Sequence, residues 1–134
     1  MNIFELAPKA GTGYSHDVRI IARSTLNAFV QNRVEPSLRK SVKLRLDAWY
    51  EEASEADWNS SADVKEKYAS ASIVTAERVV FNIKGNDFRL VTAIDYQTGV
   101  LLIIWVGTHR EYDRINVERV EYDRKRYTDL PSSH

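Results

Sequence analysis

The segment RVVFNIKGNDFRLVTAID, residues 78 to 95, constrains the fold more than any other part of the chain, because apolar side chains recur at every second position on both sides of a turn signal. Val79, Phe81 and Ile83 alternate with Arg78, Val80, Asn82 and Lys84. Past Gly85-Asn86, Phe88, Leu90, Thr92 and Ile94 alternate with Arg89, Val91, Ala93 and Asp95. Successive strand side chains point to opposite faces, so a period of two interrupted by Gly-Asn predicts a β-hairpin. Centring the turn on Gly85 and Asn86 pairs Ile83 with Phe88, Phe81 with Leu90 and Asn82 with Arg89. One face is then apolar and the other carries Arg78, Asn82, Lys84 and Arg89. A second turn at Tyr96 to Gly99 returns the chain as Val100 to Val106, whose lack of alternation predicts cover on both faces. Pairing Asp95 with Val100 puts Arg89 opposite Val106.

Upstream of the hairpin the period is helical. VRIIA, residues 18 to 22, is short and β-branched and reads as a strand. Ser24 or Thr25 can cap a helix through Leu26, Phe29 and Val30. In residues 37 to 56, Leu38, Val42, Leu46, Trp49 and Ala53 recur at three- and four-residue spacing, which predicts a second helix with one buried face. Ser60 or Ser61 can cap a third, short helix in SADVKEKYA. These elements predict an α+β domain over residues 18 to 128, with an N-terminal strand and helices packed on a small, mainly antiparallel sheet. Residues 1 to 17 carry Pro8, Gly11 and Gly13 without periodicity and are expected to form a flexible, dispensable extension, either disordered or produced by choice of an upstream start. DLPSSH at 129 to 134 reads as a tail.

With 134 residues the chain has room for one domain and a modest core. It contains no cysteine, which removes disulfides and thiolate metal sites and favours a cytoplasmic setting. No apolar run approaches the ~18 residues of a membrane span. Nineteen basic residues balance 19 acidic ones, so nucleic-acid binding must rest on where charge is placed rather than on its excess. Placement is uneven: Arg33, Arg39, Lys40, Lys43 and Arg45 precede Asp47, Glu51, Glu52, Glu55 and Asp57. The pattern reads as the two ends of a solvated helix. No metal-binding, phosphate-loop or calcium-loop motif is present, so no metal or cofactor is expected.

The apolar strand from Val100 ends in GTHREYD, residues 107 to 113. The hairpin register brings His109 near Arg89 and Asn82. If a helix begins at His109, then His109, Tyr112 and Asp113 share one side of it. Cleavage of RNA at its own 2′-hydroxyl needs a base, a proton donor for the leaving 5′-oxygen, and cations for the charge that builds on the phosphate. Histidine suits the proton steps. Guanidinium and ammonium suit the phosphate, and tyrosine can donate a proton or stack on an unpaired base. Taken singly, each residue has a plainer reading: His109 as a strand-end histidine, Arg89 as a sheet residue paired with Asp113 or Glu111, Tyr112 as a half-buried anchor, and Asn86 as a turn residue. The convergence is what raises the functional reading.

VRIIARSTL, AWYEEASEADWNSSADVK, ASIV, RVVFNIKGNDFRLV and GTHREYDRI follow one another as in HigB-type toxins of bacterial type II toxin-antitoxin systems, which residues 18 to 115 resemble. The resemblance implies a RelE-like fold with a short C-terminal helix and a metal-independent mRNA endoribonuclease that cuts messages on the 70S ribosome and arrests growth. It also implies a HigA-type helix-turn-helix antitoxin as partner, with operator DNA reached only through that antitoxin, and no membrane association. Carried onto matching positions, His109 is the expected proton-transfer residue, Arg89 and Lys84 the phosphate stabilisers, and Tyr112 the proton donor or stacking platform. Asp113 orients His109 or Arg89, and Asn82, Asn86, Arg78 and Arg110 support RNA binding. YDRKRY at 122 to 127 either adds cationic contacts or extends a surface helix. The competing reading is a catalytically silent relative that binds RNA, the ribosome or only the antitoxin.

Overall fold

The computed structural model describes residues 18–128, so the segments read as an extension and a tail lie outside the described residues. In chain order the elements are β1 (Arg19–Ile21), α1 (Arg23–Arg33), a 3-10 turn (Pro36–Leu38), α2 (Arg39–Ser54), α3 (Ser61–Lys67), β2 (Ser72–Ile73), β3 (Arg78–Ile83), β4 (Phe88–Asp95), β5 (Val100–Thr108), α4 (His109–Tyr112) and α5 (Arg124–Thr128). The strands form a five-stranded sheet in the order β1-β5-β4-β3-β2. Only the β1–β5 pair is parallel. The class is α+β with a mainly antiparallel sheet and a short C-terminal helix, as expected for a RelE-like fold.

The first hairpin has the register that alternation predicts, with Ile83 opposite Phe88, Asn82 opposite Arg89 and Phe81 opposite Leu90. Its left-handed backbone positions fall on Lys84 (φ 55°) and Gly85 (φ 65°). The second hairpin departs from expectation. Asp95 pairs with Val100, but the register slips between Val91 and Thr92, so that Val91 faces Trp105, Thr92 faces Ile103 and Arg89 faces Gly107 rather than Val106. Ile104 is the extra residue of a β-bulge, and Ile104 and Trp105 consequently turn to the same face of the sheet.

Two cores result, one on each face. Against the helical face, Leu26, Phe29 and Val30 of α1 and Val42, Leu46, Trp49 and Ala53 of α2 meet Phe81, Ile83, Phe88, Leu90 and Val106. Thr92 is buried in that face, where its hydroxyl donates to the Val79 carbonyl at 2.9 Å and so meets the cost of burying a polar group. On the opposite face Val80, Val91, Ala93, Val100, Ile104 and Trp105 are covered by Tyr112, Ile115, Val117 and Val120, from the segment that follows β5. This second cover accounts for the unbroken apolar run of β5.

The helix boundaries differ in detail from the sequence reading. The N-cap of α1 is Ala22, with no side-chain cap, and Thr25 is buried inside the helix. Leu38 belongs to the 3-10 turn ahead of α2 and is 36% exposed, so it is not part of the buried stripe. Ser60 occupies the N-cap of α3 without a side-chain bond, and the Asp63 carboxylate accepts from the Asn59 amide nearby. Arg33 does not belong with the basic end of α2. It ends α1 and forms a 3.0 Å ion pair with Glu111. The rest of the charge block behaves as a solvated helix, with Lys43 and Asp47 paired at 2.6 Å across one turn.

Candidate functional site

The hairpin end of the second face collects most of the residues singled out from the sequence. Arg89 points to this face because Phe88 and Leu90, its neighbours in β4, point to the helical core. Its guanidinium donates to the Asn86 carbonyl at 2.8 Å and the Phe88 carbonyl at 3.2 Å, and lies 5.9 Å from the centre of the Tyr112 ring. Among the described residues no carboxylate forms an ion pair with Arg89, which leaves its charge available to an anion. Asn82 amide nitrogen lies 3.5 Å from the Asn86 side-chain oxygen and 3.5 Å from the Ser70 carbonyl. Lys84 sits in the turn with its ammonium 3.3 Å from Asp87.

His109 reaches the same place through α4. Gly107 lies beside Arg89 and Thr108 beside Phe88 in the sheet, and the His109 amide then donates to the Asp87 carbonyl at 3.0 Å. The His109 imidazole is half exposed, with Nδ1 4.0 Å from the Asp113 carboxylate. Tyr112 leans on Trp105 at 6.2 Å between ring centres. Burial raises the Tyr112 phenol above its ordinary pKa, Arg89 works against that rise and Asp113 adds to it. Tyr112 therefore keeps its proton at neutral pH. Arg110, the second residue of α4, is exposed.

Arg78 does not join this cluster. It pairs with Ala93 at the far end of β3, and four residues of strand, about 13 Å, separate it from Asn82. Its guanidinium instead donates to the Val117 and Val120 carbonyls at 2.8 and 2.7 Å, fastening the segment that covers the second core. A cavity of about 460 Å³ lies at that far end, lined by Ile21, Thr25, Arg78, Ala93, Leu102 and Tyr122 among others. It contains none of the cluster's side chains, which stand at the opposite end of the sheet.

Three contributions escaped the sequence reading. Asp87 links the hairpin to α4, pairing with Lys84 through its carboxylate and with His109 through its carbonyl. Thr108 and Glu111 form a capping box at the start of α4, a T-x-x-E signal present at 108 to 111. Arg126 and Tyr127 of α5 pack under β5: Tyr127 is buried and its hydroxyl accepts from the Val106 amide at 2.9 Å, while Arg126 donates to the Val106 carbonyl at 3.0 Å. YDRKRY thus forms neither a purely surface helix nor a simple cationic patch.

Among the described residues no helix is long and apolar enough to cross a membrane. No curated protein matches the chain. The family model for HigB toxin, the RelE-like toxic component of a toxin-antitoxin system, matches residues 42–115. That span is more than half of the chain and runs from α2 to just past α4, so it includes every position of the cluster. The chain belongs to the HigB toxin family, the toxic component of a toxin-antitoxin system whose other member is an antitoxin.

Proposed function

We propose that this toxin is a ribosome-dependent mRNA endoribonuclease that cleaves by attack of the RNA 2′-hydroxyl on the adjacent phosphate, without a metal ion, and that it thereby inhibits translation and growth in the cytoplasm. The observation that carries this reading is the meeting of an exposed imidazole, a guanidinium that pairs with no carboxylate among the described residues and a proton-bearing phenol at one end of one sheet face. His109 is the proton-transfer residue. Arg89 stabilises the charge that develops on the phosphate oxygens, and Lys84 adds a second cation. Tyr112, with its pKa raised, acts as hydrogen-bond or proton donor to the leaving 5′-oxygen or stacks on a base. Asp113 orients His109, Asn86 holds Arg89 through its carbonyl, and Asn82 and Arg110 contact the RNA. Arg78 enters only by holding the second core together. The antitoxin is of the HigA helix-turn-helix kind, and operator DNA is reached through it.

The chemistry predicts its own products. Attack by the 2′-hydroxyl leaves a 2′,3′-cyclic phosphate on the upstream fragment and a 5′-hydroxyl on the downstream one. Purified toxin incubated with programmed 70S ribosomes should give downstream fragments that accept a labelled phosphate from polynucleotide kinase without prior dephosphorylation. Fragments that already bear a 5′-phosphate contradict the mechanism. Absence of any cleavage favours a relative that binds without cutting.

A further inference from the structure

The turn that carries His109 and Tyr112 is fastened by one carboxylate that the proposed chemistry does not use. Glu111 is two positions from His109, so it projects from the other side of α4. Its Oε1 accepts from the Thr108 amide at 2.9 Å and pairs with Arg126 at 3.2 Å, while Oε2 pairs with Arg33 at 3.0 Å. Arg33 also donates to the Arg126 carbonyl at 3.3 Å, and Arg126 lies 4.6 Å from the ring centre of Trp105, the residue on which Tyr112 leans. A capping box alone needs only the contact with Thr108. Here the same carboxylate compensates two guanidiniums whose side chains are 27% and 17% exposed and whose Nε atoms are buried without a hydrogen-bond partner. The last residue of α1, the first turn after β5, and α5 thus converge on Glu111.

We infer that Glu111 is a positioning residue for RNA cleavage, anchored by Arg33 and Arg126: it fixes the pitch of the turn that presents His109 and Tyr112 and makes the reaction depend on α5 being docked. The inference rests on the ribonuclease reading for its link to the reaction. A shift of about 1 Å in a reacting group costs on the order of 10²-fold in rate, and loss of this anchor frees α4 to move by such amounts.

The test compares wild type with Glu111→Gln, which keeps an oxygen for the Thr108 amide but offers the arginines no charge, and with Arg126→Lys and Arg126→Met. Two readouts are taken: single-turnover cleavage of ribosome-bound message across ribosome concentrations, and backbone amide exchange of the free toxin. The saturated rate of Glu111→Gln should fall by roughly 10²-fold with unchanged half-saturation, and Arg126→Lys should recover part of what Arg126→Met loses. The His109 amide, bonded to Asp87, should exchange faster in Glu111→Gln while the β3–β4 ladder stays protected. A wild-type saturated rate in folded Glu111→Gln overturns the inference, as does a loss of rate in which ladder protection falls equally. If Glu111→Gln does not fold, the two Arg126 variants carry the same comparison. If the wild-type chain cuts nothing, the ribonuclease reading fails by that result, and unchanged His109 protection in the variants separately removes the positioning role.

Discussion

At the scale of single residues, the side chains of the proposed chemistry are cheap to remove from the fold, whereas those beneath them are not. His109 is half exposed and, among the described residues, the Arg89 side chain hydrogen-bonds only to the nearby Asn86 and Phe88 carbonyls. His109→Ala and Arg89→Ala should therefore keep the thermal stability and antitoxin binding of the wild type while losing about 10² to 10⁴ in cleavage rate, the usual cost of deleting a proton-transfer group. Cleavage assays beside melting curves check both halves. Glu111 behaves oppositely. Burial alone would raise its pKa, but the Thr108 amide, Arg126 and Arg33 outweigh that and hold it below the ordinary 4.5. A depressed carboxylate contributes stability that is complete above its unfolded pKa and lost as pH falls through the lower folded value. Denaturant midpoints of wild type and Glu111→Gln should thus differ most near neutrality and converge as the pH drops below 4.5. A constant difference across that window contradicts the assignment. The cluster members were legible as residue types in KGNxxR and HxxYD. The anchoring of Glu111 was not, because 78 positions separate it from Arg33 and only the tertiary fold joins them.

At the scale of elements, the β3–β4 hairpin was readable because its polar and apolar positions mark the two faces. β5 has no such marks. Every residue from Val100 to Val106 is apolar, and both faces are covered, so a one-residue slip leaves no trace in the pattern and the bulge at Ile104 went unseen. The docking of α5 was hidden for a related reason: Tyr127 is the single apolar residue between Asp123 and Thr128, and its burial depends on a partner strand distant in sequence. Two substitutions probe this docking. Tyr127→Phe keeps the ring but leaves the buried Val106 amide without its acceptor, which should cost about 1–3 kcal/mol. At Gly107 a Cβ would stand 2.5 Å from the Arg126 guanidinium and 2.5 Å from the Trp105 ring. Gly107→Ala should then destabilise by about 1–3 kcal/mol through overpacking, and shift Trp105 fluorescence. Equilibrium unfolding of both variants measures these costs, and wild-type midpoints would mean that α5 is not held as described.

At the scale of the molecule, the proposed function requires a neutral chain to reach RNA through the arrangement of its charges. Helices occupy one face of the sheet. On the other face, the segment after β5 covers the middle and Arg78 ties it down, while the cationic and titratable groups stand at the hairpin end. Exposed Glu51, Glu52 and Glu55 lie at the end of α2, whereas exposed Arg110, Arg114, Arg119, Arg124 and Lys125 follow β5. Exposed Asp113, Glu118, Glu121 and Asp123 alternate with those basic residues, so the cationic character rests on individual placement and not on a segregated basic segment. The class of fold and the gathering of the cluster's side chains at one end of the sheet were legible because they rest on local periodicity and one hairpin register. The support beneath the site was not, because it is assembled from α1, α4 and α5 across the chain. Whether the proposed His109–Arg89 cluster cuts RNA is tested by genome-wide mapping of 5′-hydroxyl ends after inducible expression of wild type, His109→Ala and Arg89→Ala without antitoxin. The wild-type chain should produce new 5′-hydroxyl ends within translated messages together with growth arrest, and both variants should produce neither. Growth arrest by the wild type without new ends, or equal ends from a folded His109→Ala protein, would contradict the account.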